Sequence, residues 1–211
     1  MYYVCIVIKS ETKKYNNMGL KGVLTTSDYV RFDEFQNLVN ALINDKNYKW
    51  AMYMSLSFST GLRISDVLTI KWSDILDKAS LIKEEEKTGK IRNIRFSEET
   101  IKKFKFLYNK LGKPKTDLFV MSNKSGEAMS EQYINRVLKQ IKDRYNLNVD
   151  NFSTHSIRKT FARTIWEKNN KSEESLVLLM EILNHSSMAI TRRYLGITGD
   201  EIANIYHSIV F

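Results

Sequence analysis

Cysteine, proline and glycine are all scarce in this chain, and each shortage excludes something. A single cysteine, Cys5, rules out an intramolecular disulfide framework and any cysteine-based zinc cluster. One proline and eight glycines among 211 residues leave few breakers of regular structure, so helices are expected to dominate. Long apolar runs are missing too. The stretch Val4 to Ile8 is far shorter than the roughly 20 residues of a spanning helix, and no basic segment precedes it as in a signal peptide. The chain is therefore read as cytoplasmic.

What is abundant is positive charge. Thirty-three Lys and Arg against twenty-four Asp and Glu leave a formal +9 at pH 7. Such a field attracts a polyanion, duplex DNA being the commonest. Charge alone fits equally a basic protein kept soluble by surface lysines. With 43% hydrophobic and 11% aromatic residues, the composition is that of a folded globular protein.

Residues 1–26 differ in character from the rest of the chain. Tyr2 to Ile8 suggests a short strand, and the polar stretch Lys9 to Gly22 a leader or linker. From about Ser27 a helical period sets in, with Phe35, Leu38, Val39 and Leu42 on one face. A second helix is expected from Tyr48 to Ser59, closed by Thr60-Gly61, and Ser65 is the expected N-cap of a short third one. Between residues 82 and 97, Ile91, Asn93 and Arg95 alternate with Arg92, Ile94 and Phe96 around a Thr88-Gly89 turn, which predicts a β-hairpin. Ser97-Glu98-Glu99 opens another helix, Pro114 marks a loop, and further helices are expected at roughly 130–143, 156–168, 174–184, 187–195 and 199–209. The expected fold is mainly α with a small antiparallel β-sheet (α+β). The domain division is 1–26 as leader and 27–211 as one domain.

Four segments offer reactive or phosphate-binding groups. In Thr60-Gly61-Leu62-Arg63-Ile64-Ser65-Asp66, an arginine beside a glycine turn can point into a cleft, or simply lie on the surface. In His155-Ser156-Ile157-Arg158, imidazole and guanidinium share a helix face and can grip one phosphate, or stand solvated separately. Leu183-Asn184-His185-Ser186-Ser187 places a histidine in a loop, capped onward by Ser186 or Ser187, nine residues before Tyr194. A tyrosine there can equally be half-buried packing. Lys87-Thr88-Gly89-Lys90 sits at the hairpin turn; it is not a nucleotide-binding loop, because no glycine precedes it at the required distance.

Each segment is weak alone, but their order along the chain resembles the tyrosine recombinase family, also called the phage integrase family. Leu62-Arg63-Ile64-Ser65-Asp66-Val67-Leu68 and His155-Ser156-Ile157-Arg158-Lys159-Thr160-Phe161 are similar to its two signature boxes, and the likeness runs from about residue 30 to residue 195. The resemblance implies a tyrosine recombinase catalytic-domain fold. It also implies a site-specific recombinase that cuts and rejoins double-stranded DNA through a 3′-phosphotyrosine, for integration, excision or inversion. Arg63 and Arg158 would hold the scissile phosphate, Lys87 would protonate the leaving 5′ oxygen, and His155 would take part in proton transfer. His185 would donate to a phosphoryl oxygen, Asp66 would orient its neighbours, and Tyr194 would be the nucleophile. No metal and no cofactor is implied. The tail after Tyr194, with Ile202, Ile205 and Ile209 at helical spacing, would dock on a neighbouring protomer of a homotetramer on DNA, the chain being a monomer without DNA; folding back on its own domain is the alternative for the tail.

Two features depart from the family pattern. About 26 residues precede the likeness, where family members commonly carry a separate core-binding domain, so that domain is expected to be absent. Asn184 stands where glycine is usual, a change that is tolerated if the backbone there does not need positive φ, asparagine being the next best residue if it does. The competing functions are a non-catalytic DNA-binding regulator of the same fold and a type IB topoisomerase-like enzyme.

Overall fold

In a computed structural model the chain is described over residues 28–197, together with Tyr206 and Ile209. The leader, its strand from Tyr2 to Ile8 and most of the helix expected over 199–209 lie outside the described residues.

The apolar stripe Phe35, Leu38, Val39 and Leu42 is buried on α1 (Phe32–Asn44), as its spacing requires. Helix α2 (Tyr48–Thr60) is different. An unbroken run from Trp50 to Ser57 is buried, the mark of a helix enclosed on all sides, and it packs against α1, α5 and α7. Short helices α3 (Ile64–Leu68) and α4 (Trp72–Ile75) come next. The hairpin pairs β1 (Ser80–Glu84) antiparallel with β2 (Ile91–Arg95), from Ser80 opposite Arg95 to Glu84 opposite Ile91. Leu81 and Ile94 face each other across it and are the buried pair that ties it to the core.

Helices α5 (Glu98–Lys110), α6 (Glu131–Arg144), α8 (Glu173–Leu183) and α9 (Met188–Tyr194) all start on a serine. Ser97, Ser130, Ser172 and Ser187 accept from the backbone N–H of Thr100, Tyr133, Ser175 and Ile190, satisfying donors that helix starts leave orphaned. Helix α3 breaks this habit. Its N-cap is Arg63, in extended backbone with no side-chain cap, and Ser65 lies inside the helix rather than at its start.

Helix α7 (Thr154–Lys168) joins two cores. Its Ile157 belongs to the large core around α1, α2, α5 and α6. Its Ala162 and Trp166 belong to a small one completed by Leu176, Leu179, Leu183, Leu195 and Ile197. Arg158 lies on the seam between them.

Candidate active site

The turn before Arg63 is built on a glycine for two reasons. Gly61 caps α2 in the left-handed region (φ 57°), its N–H donating to Ser57, and a Cβ there would come within 2.4 Å of the Phe161 ring. The chain then turns at once into α3, presenting Arg63. Its Nη1 donates to Glu85 Oε2 at 2.6 Å and its Nη2 to the Leu183 carbonyl at 3.4 Å.

Arg158, only 4% exposed, reaches the same carbonyl from α7 at 2.7 Å through Nη2. That carbonyl is the last of α8, where the helix dipole places partial negative charge and attracts cations. Arg92 from β2 donates to the neighbouring Ile182 carbonyl, and Lys90 Nζ lies 3.5 Å from that of Glu181. The C-terminus of α8 is thus ringed by side chains of Arg63, Lys90, Arg92 and Arg158.

Immediately after it, Asn184 adopts φ 53°, ψ 51°, so the position does need the left-handed conformation and asparagine supplies it in place of glycine. This turn throws His185 back toward the arginines. His185 Nδ1 lies 3.0 Å from Thr191 Oγ1 on α9, and its ring meets that of Tyr194 edge-on, with centroids 5.1 Å apart. Lys159 Nζ stands 5.4 Å from the centre of the tyrosine ring. The Tyr194 hydroxyl is enclosed. Neither it nor Arg158 Nη1 has a hydrogen-bond partner among the described residues.

The electrostatics arise from this crowding. Burial, then the charges of Arg158 and Arg63, push the His185 pKa down to about 4, so the ring is neutral at pH 7. Burial lifts the Tyr194 phenol to about 12, although the charge and proximity of Arg158 and the charge of Arg63 oppose the rise. Burial also lowers Arg158 and His155, and for His155 the nearby Arg158, Lys159 and Arg63 add to the shift while Glu131 opposes it.

The structure therefore brings Arg63, Arg158, His185 and Tyr194 to one place. The His155 side chain is partly exposed near the start of α7, between the buried Thr154 and Ser156, and lies within the field of Arg63 and Arg158. Lys87 is not in contact with them; it is exposed on the hairpin turn. Asp66 is 1% exposed, and its Oδ1 accepts from the backbone N–H of Glu86 at 2.8 Å, which fastens that turn to α3.

Sequence reasoning missed Glu85, Lys90 and Arg92. Glu85 is fully buried and bridges Arg63 to Arg92, whose Nη1 lies 3.1 Å from Glu85 Oε1. The one available signal is weak: Arg92 shares the inward-facing parity of Ile94 on β2.

Among solved structures the XerA recombinase superposes with a TM-score of 0.65 over 87% of this chain and 66% of its own, at 21% identity. XerH bound to its difH substrate, before cleavage, does so at 0.63 over 86% of this chain and 54% of its own, at 19% identity. The fold is that of tyrosine recombinase catalytic domains. The family model described as phage integrase matches residues 28–199, and the chain belongs to that family. Its curated relatives include the probable integrase/recombinase YoeC of Bacillus subtilis, 30% identical over 82% of this chain and 91% of the relative. Tyrosine recombinase XerH of Campylobacter jejuni is 25% identical over 87% of this chain, and XerC of Staphylococcus saprophyticus 27% identical over 82%. The chain spans 52% of that XerH and 58% of that XerC.

Proposed function

We propose that this chain is the catalytic domain of a site-specific DNA recombinase, which cuts and rejoins duplex DNA through a covalent bond from Tyr194 Oη to a 3′ phosphate. The observation that carries the proposal is the meeting of Arg63 and Arg158 at the end of α8, beside Tyr194. A phosphodiester drawn to these guanidiniums would replace the Leu183 carbonyl with its own oxygens, and arginine forks suit that exchange. As Oη attacks phosphorus, the phenol proton passes to His155. The P–O5′ bond breaks, and Lys87 supplies the proton that makes the leaving group a 5′ hydroxyl. Fixed positive donors then balance the charge of the five-coordinate transition state. In the tautomer in which Thr191 Oγ1 donates to Nδ1, the His185 ring would carry its proton on Nε2, the form that donates to a phosphoryl oxygen. Because the phosphotyrosine conserves the ester, a second 5′ hydroxyl reverses the sequence and joins new strands.

In the free protein the phenol is enclosed and hard to ionise, so DNA must draw α9 toward the phosphate before attack. The domain acts in the cytoplasm, as a homotetramer on DNA joined through residues 199–209.

A pool of nicked duplexes with randomised flanks tests this, the nick letting the cut end diffuse away and trapping the intermediate. The wild-type chain should give a denaturant-resistant protein–DNA band, EDTA should leave it undiminished, and Tyr194→Phe should remove it. A band that persists in Tyr194→Phe assigns the nucleophile to another residue; one that EDTA abolishes assigns the charge stabilisation to a metal.

A further inference from the structure

Glu85 takes no part in the bond-breaking and proton-transfer steps, yet it is the most completely partnered carboxylate of the site. Its side chain is fully buried, while Glu84 and Glu86 on either side are exposed. A buried carboxylate survives only when its oxygens are satisfied. Here Oε2 accepts from Arg63 Nη1 at 2.6 Å and from Thr88 Oγ1 at 3.1 Å, and Oε1 accepts from Arg92 Nη1 at 3.1 Å. Burial works to raise its pKa, but the charge of Arg63 and the bonds from Arg92, Thr88 and Arg63 outweigh that, and the group stays ionised.

The backbone of the same residue closes the turn that carries Lys87. Glu85 N–H donates to the Lys90 carbonyl at 3.0 Å, and its own carbonyl accepts from Thr88 and Gly89 at 3.2 and 2.8 Å. Through its side chain this turn is bound to Arg63, and through Arg92 to the end of α8. The phosphate clamp and the lysine turn are two separate segments of chain; Asp66 ties the turn to the body of α3 through the Glu86 N–H, and Glu85 ties it to the Arg63 guanidinium itself.

We propose that Glu85 is a positioning residue, which couples Arg63 to the turn of Lys87 and so sets the distance between phosphate clamp and proton donor. The proposal rests on the reading of Lys87 as the proton donor to the 5′ oxygen. The opposite arrangement is a plug, in which the carboxylate merely occupies Arg63 until phosphate displaces it. The two differ in sign. Losing a plug speeds cleavage, whereas losing a positioning group slows it.

The test uses the duplex captured from the pool by the wild-type chain, resynthesised with its natural phosphate and with sulfur in place of the bridging 5′ oxygen. A thiolate leaves without needing a proton, the thiol pKa being about 8.5, so sulfur relieves defects that act through the donor. Lys87→Ala should slow cleavage of the natural site by roughly 10²–10⁴-fold, and sulfur should restore it. Glu85→Ala should slow it by about 100-fold, with sulfur recovering at least ~10-fold, and Glu85→Gln, which keeps an acceptor, by about 10-fold. Arg63→Ala should show no sulfur recovery. Cleavage by either Glu85 variant at or above the wild-type rate overturns the proposal, as does a defect that sulfur leaves untouched. If sulfur fails on Lys87→Ala as well, the donor assignment falls with it; if it restores Lys87→Ala alone, only the coupling falls. A second readout needs no DNA. Amide exchange at Thr88, Gly89 and Lys90 should quicken by about 10-fold or more in both Glu85 variants, while Leu81 and Ile94 keep their protection; unchanged exchange in the turn also overturns the coupling.

Discussion

Arg63 and Arg158 donate to one and the same oxygen, the carbonyl of Leu183, at 3.4 and 2.7 Å. Two cations held at one point before any ligand arrives need little reorganisation when a phosphate does, and the end of α8 offsets part of their mutual repulsion. A lysine in either place would keep the charge and lose the planar fork. Arg158→Lys is therefore expected to fold normally and to form the covalent DNA adduct at least about 100-fold more slowly, the range for removing one preorganised donor. Single-turnover adduct formation measures this; a near wild-type rate would mean that charge alone suffices at this position.

Gly61 governs where Arg63 points. Any side chain there must adopt φ 57°, and its Cβ would meet Phe161 Cε1 at 2.4 Å. Gly61→Ala combines backbone strain with overpacking, and should cost about 2–4 kcal/mol in urea unfolding. Adding Phe161→Leu should return the steric part and leave the backbone part. If the pair of substitutions is simply additive, the Phe161 contact is not what makes glycine necessary.

How far the sequence could be read depended on whether a feature is local. The stripe of α1, the end of α2 at Gly61 and the serine caps of α5 and α9 are each written in a short local stretch of sequence, and the structure has them where spacing and capping chemistry place them. The segments that bring Arg63, Arg158, His185 and Tyr194 together were legible as short ordered motifs. Glu85 was not. In Glu84-Glu85-Glu86 it looks like one of a run of solvated carboxylates, and only the approach of Arg63 and Arg92 from other elements makes its burial tolerable. Ser65 misled for the converse reason: a good capping residue was present, but the backbone leaves its extended conformation two residues earlier, at Arg63. The left-handed turn at Asn184 was recognisable only as a conditional, since asparagine tolerates either hand.

His185 makes stability depend on pH with a definite sign. Its pKa falls from 6.5 to about 4 on folding, through burial and the charges of Arg158 and Arg63. Between those values the unfolded chain binds more protons, so stability present above pH 6.5 is lost as the pH drops toward 4. His155 is shifted in the same direction and adds to the loss. Because the His185 ring is only half-buried, its share is on the order of 1 kcal/mol after solvent screening. Unfolding midpoints across this window should decline less steeply in His185→Asn than in the wild type. An identical slope in the two proteins would mean that neither burial nor the arginine charges shift the ring on folding.

The nucleophile position should show a conflict between stability and chemistry. The Tyr194 hydroxyl is enclosed beside Arg158 with no hydrogen-bond partner among the described residues, and a buried polar group left so carries a desolvation penalty. Tyr194→Phe removes that group and keeps the ring against His185 and Lys159. We expect the substitution to stabilise the free protein by about 1 kcal/mol while abolishing the covalent adduct. Urea unfolding gives the first quantity and the denaturing gel the second. A loss of stability instead would mean that the hydroxyl is held by a bond to Arg158 in solution. The phenol would then already be engaged with a phosphate-binding arginine before DNA arrives, and α9 would have no need to open.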